Sequence, residues 1–261
     1  MAAKDPLHAH VDTLMAERKL DVLLLTGNTP ENPNFWYLVK GQKLEAATLV
    51  YKRGGKQLLI AGDMERDCAA MTDLPWIPRS ATPAMKIAAK AKKPGDYQLE
   101  WLSWVLKKVR AKGKVAIYGS GGLENQMSWL PRAKRAFKQI DCELVVEKSP
   151  VLNAARDIKT EAEIERIRFA GIGTKAAFDA IRRTIGGCHA KGRTLHTSKG
   201  EPLTIAMLKS VADVAMAKHG LANVHGSIVA QGEEGGVPHN AGTNTRTVKT
   251  GLPIVCDIFP K

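Results

Sequence analysis

Two residues near the carboxyl end of the sequence have side chains able to bind or polarise something, His239 and Asp257. They bracket the stretch HNAGTNTRTVKTGLPIVCD and stand 18 positions apart. Asp257 closes an apolar run, LPIVCD, which reads as a buried strand. A carboxylate at the end of a buried strand is costly unless something pairs with it. His239 follows Pro238 in a polar, Gly-rich segment, and a third candidate, His225, precedes Gly226-Ser227 at the start of another strand. His189 and His196 lie in a basic loop and read as solvent-exposed. His8 and His10 sit near the N-terminus, where a metal role is not expected. Cys68, Cys142, Cys188 and Cys256 are scattered without a CxxC pair, the pattern of reduced, buried thiols rather than a disulfide or zinc framework.

The elements that must position these residues alternate as in α/β proteins. HAHVDTLMAERKL has helical spacing and runs into the strand DVLLLTG. NTPENPN is a loop by composition. FWYLVKG reads as a strand, and AATLVYKRGGKQLLIAG reads as two strands joined at Arg53-Gly54-Gly55. EWLSWVLKKVRAKG is an amphipathic helix expected to stop at Gly113, KVAIYGS is a strand, MSWLPRAKRAFKQI a helix and CELVVE a strand. Strand, helix, strand, helix, strand implies a mixed sheet covered by helices.

A composition shift at KSPVLNAARDIKT sets the expected boundary, with domains at 1–152 and 153–261. Thr160 and Glu163 fit a capping box. The helix behind them places Ile164, Ile167, Ala170, Gly171, Thr174, Ala177, Phe178 and Ile181 on one face. GGCHAKGRTLHTSKGEP reads as a loop and LTIAMLKSVADVAMAKHG as a second amphipathic helix, in which Met207 and Met216 fill core. VHGSIVAQG and LPIVCDIF are strands.

The chain has 261 residues, 44% hydrophobic and 25% charged, enough for two domains and a sizeable core. No apolar run has the length of a bilayer span, and the N-terminus lacks a signal-peptide pattern. No membrane role and a cytoplasmic location are therefore expected. The net charge of +13 is spread along the chain: residues 1–150 carry 24 Lys+Arg against 16 Asp+Glu, and residues 151–261 carry 15 against 10. Aromatics make up 5%, too few for a single-strand stacking platform. No specific nucleic-acid partner is expected.

The order of these pieces resembles the prolidase / aminopeptidase P branch of the pita-bread superfamily. The resemblance rests on Arg156-x-Ile158-Lys159-x-x-x-Glu163-Ile164 opening a long helix, a second helix with an L-T start and the strand Ser227-Ile228-Val229. It continues through a Gly-rich loop, Pro238-His239, a Thr/Arg-rich turn and Gly251-x-Pro253-x-Val255-x-Asp257. In the first half, LDVLLLTG and FWYLVKG stand where creatinase-like domains carry comparable segments. The resemblance implies an α/β fold, with an N-terminal creatinase-like mixed-sheet domain followed by the first part of an α+β pita-bread domain. It implies a metallopeptidase of the Xaa-Pro aminopeptidase or prolidase type acting on peptides, with two divalent ions (Mn, Co or Zn). By that resemblance Asp257 is the first metal ligand, His239 assists the reacting carbonyl and His225 contacts substrate. A strand-end carboxylate suits a hard divalent ion, and a neutral imidazole can donate to a developing oxyanion.

The sequence departs from the pattern, since a second aspartate, a ligand histidine and two glutamates have no counterpart here. Glu233 and Glu234 lie on the wrong side of His239. The expectation is a form truncated after the first ligand, with little or no metal and inactive alone; its unpaired edge strand and apolar face imply either association as a homo-oligomer, a dimer, through that face or poor solubility. Two alternatives share the fold: a non-catalytic peptide- or histone-binding module, and a creatinase-like C–N hydrolase.

Overall fold

Four consecutive side chains of DVLLLTG, Val22 to Leu25, are fully buried, so both faces of this strand are covered. A strand covered on both faces belongs to the middle of a layered α/β unit. The computed structural model describes residues 6–55, 57–93, 95–119 and 123–261. They divide into two compact units, one running to Ile158 and one from Lys159 to Lys261.

In chain order the first unit comprises α1 (Pro6–Glu17), β1 (Val22–Gly27), α2 (Pro33–Leu38), β2 (Ala47–Lys52), β3 (Leu58–Ala61), α3 (Arg66–Ala70), β4 (Trp76–Pro78), α4 (Ala84–Lys90), α5 (Asp96–Lys108), β5 (Gly113–Tyr118), α6 (Leu123–Lys138), β6 (Cys142–Val145) and α7 (Val151–Asp157). Its sheet has the order β4-β3-β2-β1-β5-β6. β1 is antiparallel to β2 and parallel to β5, and β5 is parallel to β6. The sheet is therefore mixed, as its sequence implies.

The pleat sends alternate residues of β1 into two cores. Leu23 and Leu25 join Val11, Met15, Phe35 and Leu152 from α1, α2 and α7. Val22 and Leu24 join Trp101, Leu102, Val105 and Phe137 from α5 and α6. The buried indole Nε1–H of Trp101 donates to Thr48 Oγ1 at 3.0 Å, so neither polar group is stranded.

Three sequence expectations are corrected here. FWYLVKG is helical, because Asn32 Oδ1 accepts from the backbone N–H groups of Asn34 and Phe35 while Pro33 takes the first helical position. That start signal outweighs the aromatic strand propensity behind it. α5 ends at Lys108, not at Gly113. Arg110 makes the turn at φ 50°, and Gly113 opens β5, where an added Cβ would lie 2.2 Å from Asp21 Oδ2. The 186–202 stretch is also more than a loop, as the second unit shows. The side chain of His8 lies outside the described residues.

The second unit comprises α8 (Glu161–Gly186), β7 (His189–Lys191), β8 (Thr194–His196), α9 (Ile205–Ala217), β9 (Ile228–Gln231) and β10 (Ile254–Asp257). β7 and β8 form a hairpin within 186–202, turning at Gly192-Arg193 with Gly192 at φ 60°, a conformation that tight hairpin turns favour for glycine. The capping box at the start of α8 is present: Thr160 Oγ1 accepts from Glu163 N–H at 3.3 Å and Thr160 N–H donates to Glu163 Oε2 at 2.8 Å.

The apolar face expected on α8 is covered over its C-terminal half only. Ala177 and Ile181 pack with Leu208, Ala212 and Met216 of α9, whereas Ile167 is 57% exposed. Gly173 allows close packing, since a Cβ there would meet Leu221 Cδ1 at 2.2 Å. No helix among the described residues is long and apolar enough to cross a membrane.

Candidate functional site

The residues singled out by sequence sit around the β9–β10 pair. The two strands are antiparallel, with Asp257 opposite Ile228 and Val255 opposite Ala230. Period-two alternation assigns the faces of β10. Ile254 and Cys256 pack against the α8–α9 core, and Val255 and Asp257 point the other way and are exposed. The expectation that Asp257 closes a buried strand is therefore corrected. β10 is half-buried, its Asp face is open to water, and the Asp257 carboxylate makes no hydrogen bond or ion pair with the described residues, while the backbone of Asp257 stays in the ladder opposite Ile228. Hydration removes the penalty that a dry carboxylate would carry.

The segment carrying His239 leaves β9 and at Gly235 passes beside this face. A Cβ on Gly235 would stand 3.1 Å from Val255 Cγ2, on the Asp257 side of the strand. Several ties fix the course of the segment. Glu234 accepts from Thr243 N–H at 3.1 Å and Thr243 Oγ1–H at 2.6 Å, and pairs with Arg246 at 3.1 Å. Those Thr243 bonds, with the Arg246 charge, hold the Glu234 carboxyl below its ordinary range.

Lys209 of α9 donates to Gly242 O at 3.3 Å and to Asn244 Oδ1 at 2.8 Å. The carbonyls of Asn244 and Arg246 accept from the first N–H groups of α9, those of Ala206 and Ile205. Gly242, at φ 80°, presses against β9 so closely that a Cβ would stand 2.0 Å from Val229 O. Behind it, the buried Gln231 amide pairs with both backbone groups of Lys249, each at 2.9 Å. The segment is thus clamped at both ends, and His239 lies exposed between the clamps at φ 61°, a left-handed conformation uncommon for residues other than glycine.

His225 is also exposed, just before the buried Ser227. Asn223 fixes that entry by donating to Asp213 Oδ1 at 2.7 Å and Ser227 Oγ at 3.0 Å. Among the described residues no three His, Cys, Asp or Glu side chains come together in a way that could hold a metal ion. Of the residues the resemblance nominates, Asp257 is the one carboxylate, and one carboxylate does not make a site for two divalent ions.

Burial pushes the Cys256 thiol up, and burial with the Asp141 charge pushes Cys142 up to about 11, which disfavours the thiolate at both. Sequence reasoning missed the Glu234 and Lys209 clamps and the Gln231 tie. The Gly-rich surroundings of Glu234 and the isolated Gln231 at a strand end were the available signals.

No protein-family model matches the chain, and no curated protein matches it. Solved structures do. An X-Pro aminopeptidase from Thermotoga maritima is 18% identical, with a TM-score of 0.61, covering 96% of this chain and 60% of its own. A prolidase from Pyrococcus furiosus is 16% identical, with a TM-score of 0.61 and coverages of 95% and 60%. A proline aminopeptidase P II from Yersinia pestis is 18% identical, with a TM-score of 0.58 and coverages of 97% and 58%. The chain thus spans about 60% of the length of the structures it matches. Across that span it has the mixed α/β, creatinase-like and pita-bread fold of the prolidases and X-Pro aminopeptidases.

Proposed function

We propose that this chain supplies part of a peptidase site of the Xaa-Pro aminopeptidase or prolidase type. In this reading Asp257 contributes one carboxylate to divalent metal, His239 assists the reacting carbonyl and His225 contacts the peptide. The observation that carries the reading is the open face of β10. Asp257 projects from it on the side where Gly235 of the clamped segment stands beside Val255, within a fold shared with Xaa-Pro peptidases. The described residues do not complete a ligand set, so the missing ligands must come from elsewhere, and this chain alone turns over no substrate. Manganese, cobalt or zinc would suit the oxygen and imidazole donors of such a site.

Peptidase assays on Xaa-Pro dipeptides with added Mn or Co test this. The expected result is no turnover by the chain alone, with turnover in a polypeptide supplying the further ligands that Asp257→Ala abolishes. Turnover by that polypeptide undiminished in Asp257→Ala would refute the assignment.

The incomplete ligand set also favours a second reading, metal-independent peptide binding on the same face. Peptide retention that survives chelator and moderate salt, together with Asp257→Ala being silent, supports it over the first. We further propose that the exposed apolar residues of this face, Val255 and Phe259 among them, are covered by association with a second copy. Light scattering at high concentration is expected to give more than the monomer mass, and a strictly monomeric mass contradicts it.

A further inference from the structure

The first unit holds a cavity of about 760 Å³ that none of the residues discussed so far explains. Its floor is the carboxyl ends of three mutually parallel strands: Thr26 of β1, Tyr118 and Gly119 at the end of β5, and Val145 of β6. From β1 the chain moves out through β2, β3 and β4, then returns to the other side of β1 with β5 and β6. The strand order reverses between β1 and β5. In open α/β sheets, ligands bind outside the carboxyl ends of the strands at such a reversal. The cavity stands at that point, and its volume falls in the range of small-molecule sites.

The chemistry of the wall narrows the ligand. Among the described residues four carboxamides line it, Asn34, Gln98, Gln126 and Asn153, beside the rings of Tyr97 and Trp129. In a chain of net charge +13, no Lys, Arg or His is among the described residues lining it. Three guanidinium groups beside lining residues are engaged: Arg79 stacks on Tyr97 and Trp101 and donates to the Tyr97 hydroxyl, Arg132 pairs with Asp96, and Arg156 donates to Asn34 Oδ1 at 3.3 Å.

Among the described residues the one lining carboxylate, Glu147, accepts from the Tyr118 hydroxyl through Oε2 and from Val151 N–H through Oε1 at 2.7 Å. Burial, with that bond to Glu147, drives the Tyr118 hydroxyl far above its ordinary range, so it stays protonated as the donor. An anionic ligand finds no cation among the described lining residues, and an ammonium ligand must share the Glu147 oxygens with Tyr118 and Val151. Carboxamides supply paired donors and acceptors, and aromatic walls suit a planar group.

We propose that this cavity binds an uncharged planar small molecule bearing an amide-type donor–acceptor edge, recognised by the carboxamides above the β1–β5 reversal. Three probes sharing one ring separate charge from shape: benzamide, benzoate and benzylamine, titrated by NMR against the full chain. Benzamide is expected to saturate, with benzoate and benzylamine weaker by about fivefold or more, the cost of one mismatched polar group. Gln98 and Asn153 are exposed, so changing them spares the core. Gln98→Trp, which fills the mouth, should weaken benzamide by about tenfold or more, and Asn153→Leu should weaken it by about threefold or more. The proposal is overturned if either charged probe binds as tightly as benzamide, if benzamide fails to saturate by about 10 mM, or if Gln98→Trp leaves its binding unchanged.

Discussion

Replacing Gly242 by alanine tests how tightly the His239 segment is held against β9. Two penalties act together. A residue with a Cβ at φ 80° costs about 1–2 kcal/mol in the left-handed region. The added Cβ would also stand 2.0 Å from Val229 O and 2.9 Å from Val229 C, backbone atoms that cannot rotate away. Relieving that overlap separates the segment from β9 and breaks the Val229 N–H···O bond to Ala241 at 3.3 Å, a loss of about 1 kcal/mol or more. The sum is about 3 kcal/mol.

Gly251→Ala is the matched control, because Gly251 has φ 73° but open space around it, so only the dihedral cost of about 1–2 kcal/mol applies. All 5 Trp and all 4 Tyr lie before residue 130, so aromatic fluorescence reports the first unit. Loss of structure in the second unit is read instead by amide hydrogen exchange at Val229 and Ala230. The expected result is an opening free energy lower by about 3 kcal/mol in Gly242→Ala and by about 1 kcal/mol in Gly251→Ala. Equal losses in the two variants would show that the close approach to Val229 contributes nothing.

Truncating Ile181, which is 4% exposed where α8 meets α9, should destabilise the second unit by about 2–5 kcal/mol in the same exchange experiment. A loss under about 1 kcal/mol would mean that the α8–α9 packing is not its core. In the first unit Asp21 carries an acid-sensitive contact. Burial works to raise its carboxyl, but Lys114 N–H at 2.8 Å and Arg53 at 2.9 Å outweigh it and hold it below 3.8. A depressed carboxylate stabilises the fold above its unfolded value, and that stability is lost as pH falls through the folded value. Asp21→Asn should therefore flatten the acid limb of Trp-monitored stability below pH 3.8 and cost under about 1 kcal/mol above it, since the side chain is over a third exposed. An acid limb unchanged in the variant counts against that contact.

Much of this architecture is legible in the sequence where local signals and tertiary demands agree. The continuous run at Val22–Leu25 announces a doubly covered strand, and Thr160 with Glu163 marks the start of α8 to the residue. The misreadings fall where two signals compete. At Asn32-Pro33 a cap outweighed aromatic strand propensity, and at Gly113 a glycine served a close approach to Asp21 rather than a helix stop. The identities of His225, His239 and Asp257 were visible, but not the half-open character of β10. Whether a strand face is covered depends on elements far along the chain, here α8 and α9 on one side only. The cavity of the first unit escaped notice for a similar reason. Its lining comes from segments between Thr26 and Asn153, and no local spacing marks it.

The most direct test of the account is paramagnetic broadening by Mn²⁺, which detects weak coordination by a partial ligand set. Backbone amide resonances are followed as Mn²⁺ is added to the full chain and to Asp257→Asn. Broadening centred on Val255–Ile258 that extends to His239, and that disappears in Asp257→Asn, is the predicted result. Broadening that leaves His239 untouched, or that persists in the variant, would contradict a shared face for the carboxylate and the imidazole.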